Sequence, residues 1–156
     1  MAQVPRIPKA ELHVHLEGTM RPALTRALAA RNGLVLPKTL FTPDGHYRWT
    51  DFLDFLRAYD AVAAVIRTPE DYRDVTRDYL LACAAEGAIY VEVMSSPDHA
   101  AEAGMSYAAH LDGIVAGIES ARAESGIEGR LIVTCVRHFG PERAVEVARA
   151  VVRHPH

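Results

Sequence analysis

Three short apolar runs, each separated from the next by helical stretches, constrain the fold of this 156-residue chain more than any other feature. Ala10-Glu-Leu-His-Val-His-Leu16 alternates in character and predicts a strand that Gly18 ends. Pro5 and Pro8 mark an extended lead-in before it. Arg21 to Arg31 predicts a helix, with Pro22 in its first turn and Asn32-Gly33 as its stop. Residues 34 to 48 read as a loop containing Pro37, Pro43 and Asp44-Gly45. From a cap at Thr50, the residues Phe52, Leu53, Phe55, Leu56 and Tyr59 recur at helical spacing toward Ile66. Thr68-Pro-Glu-Asp71 restarts the helix with a cap, a proline and two acids, and Gly87 stops it. Ala88-Ile-Tyr-Val-Glu-Val-Met94 predicts the second strand, broken by Ser95-Ser-Pro97. Ser106 to Glu124 predicts a long amphipathic helix, with Gly126 and Gly129 in the turn that follows. Leu131-Ile-Val-Thr-Cys-Val136 predicts the third strand, and Pro141 opens a last helix reaching about Arg153.

Such alternation argues for parallel strands joined by right-handed crossovers. Two architectures satisfy it: a small three-layer α/β domain, or the opening units of a (β/α)8 barrel, which needs about 250 residues. Composition does not separate them. With 49% hydrophobic and 24% charged residues, the chain has the balance of a soluble globular protein. Lys plus Arg is 17 and Asp plus Glu is 20, a net charge of −3, so no basic surplus exists for a nucleic-acid backbone. No run approaches the roughly 18 apolar residues of a membrane helix. Met1 to Pro8 has no apolar core of a secretory signal. Cys83 and Cys135 lie far apart, form no disulfide framework, and read as buried small hydrophobes. A reducing cytoplasm is the expected compartment.

The chemistry concentrates in Glu11-Leu-His-Val-His-Leu-Glu-Gly18. His13 and His15 are two apart on a predicted strand, so their side chains share a face. Two neutral imidazoles on one face can reach one cation, and zinc favours such ligands. The pair falls at the strand's C-terminal end, where parallel α/β sheets build their sites. For a bare His-x-His the plainer alternative is one packed ring and one ring bonded to the backbone. The flanking Pro8-Lys9 and Leu16-Glu-Gly18 favour metal.

Pro8-Lys-Ala-Glu-Leu-His-Val-His-Leu-Glu-Gly-Thr19 resembles the N-terminal signature of the adenosine deaminase family, which includes adenine deaminases. Phe55-Leu-Arg-Ala-Tyr-Asp60 resembles that family's substrate-covering helix. Tyr90-Val-Glu-Val-Met-Ser-Ser-Pro97 resembles its second barrel strand, and Val136-Arg-His138 the end of its third. The resemblance spans the whole chain but only the front half of the family's length. It implies the first three βα units of an incomplete (β/α)8 barrel of the TIM type. Residues 1–156 would be the N-terminal part of one barrel domain, with no second domain.

The resemblance also implies roles. His13 and His15 would be two ligands of one zinc ion. Glu17 falls where the family carries an acid near the ribose end of its substrate; many adenosine deaminases have Asp there, and Glu is frequent in adenine deaminases. Gly18 would let the backbone approach the ligand. Phe52, Phe55, Leu56 and Tyr59 would wall an apolar subsite, although Phe52 and Leu56 suit an ordinary core face equally well. Ser96 falls near the purine, or serves as a turn residue beside Pro97. The catalytic Glu and His are expected beyond residue 156, so no catalytic residue is assigned within this chain, which alone is expected to be inactive. His110 reads as a surface residue, His138 as facing the site end, and Glu92 as an acid with a structural hydrogen bond. The implied reaction is zinc-dependent hydrolytic deamination of adenosine or deoxyadenosine in purine salvage. Its alternatives are deamination of free adenine or another N6-aminopurine, and a non-catalytic metal-binding α/β module. The implied partner is a small purine nucleoside or base, with no nucleic acid or membrane.

Overall fold

A computed structural model describes residues 7–155; the expected lead-in at Pro5 and the chain end at His156 lie outside the described residues. Three parallel strands, β1 (Lys9–His15), β2 (Ala88–Ser95) and β3 (Glu128–Val133), form one sheet in the order β1-β2-β3. Before β2 come α1 (Pro22–Arg31), α2 (Phe52–Ala63) and α3 (Pro69–Ala85). Then follow α4 (Pro97–Glu102), α5 (Tyr107–Ser125) and α6 (Gly140–Arg153). Apart from the short α4, this is the expected order of strands and helices, with the strands' C-terminal ends at one side of the sheet. Among the described residues no helix is long and apolar enough to cross a membrane.

Local chemistry explains most of the boundaries. Thr68 caps α3 by accepting from Asp71 N, and the Asp71 side chain returns to the Thr68 backbone. Asp71 is fully buried; it also accepts from Arg31, Asn32 and the Arg67 backbone, tying α1 to the start of α3. The cap of α2 is Asp51, which accepts from Asp54 N at 2.8 Å, rather than Thr50. Thr50 instead donates its backbone N–H and its hydroxyl to the Asp54 carboxylate, one turn into the helix. Ser95-Ser-Pro97 does not simply break β2. Ser96 caps the short helix α4, and a six-residue helix leaves too little periodicity to be seen in the sequence.

The third strand sits three residues earlier than Leu131–Val136. Its register pairs Glu128 with Tyr90 and Val133 with Ser95. Thr134 N still donates to Ser95 O, and then the chain leaves the sheet because Val136 N turns to the Asp98 carboxylate. Asp98 is buried and held by Arg143 of α6 at 2.6 Å. Two further expectations are corrected. Cys83 is half-buried, and Cys135, past the end of β3, is exposed. His110 is 0% exposed rather than on the surface.

The reason for the burial of His110 is the contact between α5 and α3. A Cβ on Gly113 would fall 2.4 Å from Pro69 O, and one on Gly117 would fall 2.6 Å from Thr76 Cβ. The two glycines, one turn apart, let α5 lie directly on α3. Val91 and Val93 of β2, Leu80 of α3 and Ile114 of α5 are wholly buried in the resulting core. Gly113→Ala is expected to force the helices apart and cost about 1–3 kcal/mol as overpacking. Asp71→Ala should cost about 2 kcal/mol or more, since it strands several donors. Thermal unfolding midpoints check both; unchanged midpoints would refute this account of the packing.

Candidate functional site

A cavity of about 800 Å³ opens at the C-terminal ends of the three strands. His13 and His15 line it from β1, and Glu17 and Gly18 from the turn that follows. Phe55, Leu56 and Tyr59 line it from α2, and Ser96, His99, Cys135 and His138 from the ends of β2 and β3. The pairing of β1 with β2 is irregular between Glu11 and Val14, where Leu12 and His13 of β1 stand against Glu92 alone of β2. The two imidazoles nevertheless stay together, their ring centroids 5.6 Å apart and tilted by 57°. A catalytic zinc site takes three protein ligands and keeps a position open. The pair fits two of those three positions. Among the described residues no group of three or more His, Cys, Asp or Glu stands together to hold a metal.

Glu17 is 1% exposed although it lines the cavity. Its Oε2 accepts from the Tyr59 hydroxyl at 3.1 Å and its Oε1 from the Ser95 hydroxyl at 2.5 Å. Burial and the Glu17 carboxylate together push the Tyr59 hydroxyl well above its ordinary pKa, so it remains a donor. Gly18, which lines the cavity, also makes room for a neighbour. A Cβ there would fall 3.0 Å from Tyr59 Cε2, so the absent side chain admits the Tyr59 ring and allows its bond to Glu17.

The other expected residues divide. Phe55 and Leu56 wall the cavity, and Trp49 meets Phe55 edge-on at 5.4 Å. Phe52 is 70% exposed and is not among the lining residues; it only stacks on Phe55 at 6.3 Å. It lies at the first position of α2, one turn before the residues that reach the cavity. Ser96 lines the cavity, but its hydroxyl is engaged with Asp98, so its turn role is the one the hydrogen bonds describe. Glu92 is half-buried and accepts from the Tyr90 hydroxyl at 2.8 Å.

Sequence reasoning missed Ser95 and His99. Ser95 is wholly buried, where its oxygen meets both Glu17 and His110 Nε2. His99 lies 5.9 Å from Tyr59, with its Nδ1 buried and without a partner. Ser95 lies in the stretch Tyr90–Pro97 that resembles the family's second strand and His99 lies in α4, but no local pattern marks either, since their partners are remote in sequence.

The profile of the family described as Adenosine deaminase matches residues 8–156. The adenine deaminase of Chelativorans sp. (strain BNC1) is 49% identical over 149 residues, covering 94% of this chain and 45% of that protein. That of Rhizobium rhizogenes is 49% identical over 142 residues, covering 91% and 44%. Among solved structures, the adenine deaminase of Arthrobacter aurescens superposes with a TM-score of 0.81 at 33% identity, covering 94% of this chain and 45% of that one. A zinc-bound amidohydrolase from Burkholderia ambifaria superposes with a TM-score of 0.83 at 26% identity, covering 97% and 42%. The chain thus spans somewhat under half the length of the proteins it matches. With the profile match over nearly every residue and a cavity at the strand ends holding the His-x-His pair, the chain belongs to the adenosine deaminase family.

Proposed function

We propose that residues 1–156 are the N-terminal portion of a single-domain adenine deaminase, in which adenine and water become hypoxanthine and ammonia. Glu17 carries this reading. A carboxylate accepts hydrogen bonds and donates none. It can take the imidazole N–H that free adenine has and that a nucleoside has replaced by ribose. Glutamate also extends one methylene further than aspartate into the space a ribose would need. Tyr59 and Ser95 hold the carboxylate against the cavity. The adenine deaminase names of the relatives at 49% identity support the same choice. Adenosine, the substrate the family resemblance put first, accordingly becomes the second reading.

His13 and His15 supply two ligands for zinc, and the remaining ligands and the catalytic Glu and His come from beyond residue 156. Bound zinc acts as a Lewis acid that makes water a nucleophile near neutral pH. Phe55 and Leu56 give the purine an apolar wall and keep water from its face. Glu17 orients the ring by its N–H edge. Gly18 leaves room for Tyr59, which holds the Glu17 carboxylate in place.

In the complete protein, His13→Ala and His15→Ala should each abolish zinc retention, read by metal analysis, together with turnover. Full zinc content in either variant would refute the metal assignment. Glu17→Ala should lower kcat/KM for adenine by about tenfold to a hundredfold, the loss of a hydrogen bond to a charged group. Adenosine turnover should change far less. Equal losses on both substrates would remove Glu17 from discrimination, and a loss confined to adenosine would reverse the reading.

A further inference from the structure

The environment of Glu17 continues inward past the cavity wall. Ser95, the last residue of β2, has one hydroxyl proton, and that proton goes to Glu17 Oε1. Toward His110 Nε2, 2.8 Å away, the Ser95 oxygen can therefore only accept. The proton on the His110 ring must then sit on Nε2, leaving Nδ1 bare. Nδ1 is buried without a partner, as fits a nitrogen carrying no proton to place. Tyr72 packs edge-on against the His110 ring at 4.6 Å and fixes its plane. Burial, helped by His99, lowers the His110 pKa to about 4, so the ring is neutral near pH 7. The close approach of α5 to α3 at Gly113, three residues along, brings this ring beneath the end of β2.

We propose that Ser95 and His110 are positioning residues for Glu17: a hydrogen-bonded chain from α5 through the end of β2 holds one carboxylate oxygen inward and orients the group that reads the purine. Neither residue touches substrate. The chain runs one way, with His110 donating to Ser95 and Ser95 to Glu17, so the helix sets the direction of the acid. The consequence for substrate choice rests on the adenine reading; the consequence for the Glu17 side chain does not.

The test uses the complete zinc-loaded protein. A crystal structure of Ser95→Ala should show the Glu17 carboxylate in a new rotamer or split between two, and an unmoved carboxylate would overturn the proposal. Nitrogen-15 NMR of the wild type, with the signal assigned by its loss in His110→Gln, should show the Nε2–H tautomer. An Nδ1–H tautomer would overturn it as well. Ser95→Ala and His110→Leu should each lower the preference for adenine over adenosine, as a ratio of kcat/KM, by about tenfold. His110→Gln, whose amide N–H can donate in place of Nε2–H, should recover most of that preference. Equal effects of Leu and Gln would show that His110 only fills space. If the wild type deaminates neither purine while Glu17 moves in Ser95→Ala, the adenine reading fails and the positioning chain stands.

Discussion

A carboxylate removed from water costs several kcal/mol unless donors meet its oxygens, and the neighbourhood of Glu17 answers that demand. Each donor arrives from a different element. Tyr59 comes from α2, over a glycine that makes room for its ring. Ser95 comes from the end of β2, and behind it stands His110 of α5. The turn after β1, α2, the central strand and the long crossover helix are thereby bound to one polar group. Any of them displaced would leave a buried oxygen or a buried ring nitrogen without its bond.

The parallel sheet decides where this happens. With β1, β2 and β3 all running one way, the residues that end them come together on one side. His13 and His15, Ser96, and Cys135 and His138 are distant in sequence and line one cavity there, with Ser95 buried behind Glu17. A second polar group, the buried Asp98, shapes the rim. It accepts from Ser96, from Val136 N and from Arg143, and so turns the chain out of the sheet after Val133. The same carboxylate accounts for the early end of β3 and for the engagement of the Ser96 hydroxyl away from the cavity.

Local patterns in the sequence determined the alternation of strands and helices, the Thr68 cap of α3, the stop at Asn32-Gly33 and the shared face of the histidine pair. Each depends on residues within a few positions of one another, where periodicity, caps and turn residues act directly. The opening motif and its Glu17 were legible for the same reason, and they carried the family. Tertiary structure alone decided the rest. It buried His110, because glycines on the same helix admit α3, and helical spacing by itself left that residue on the surface. It gave Gly18 to Tyr59, joined Ser95 to Glu17 across 78 residues, and left Phe52 outside the cavity. These outcomes follow from which surfaces meet when helices pack on a sheet, and a buried hydrogen bond between remote residues writes no local pattern in the chain.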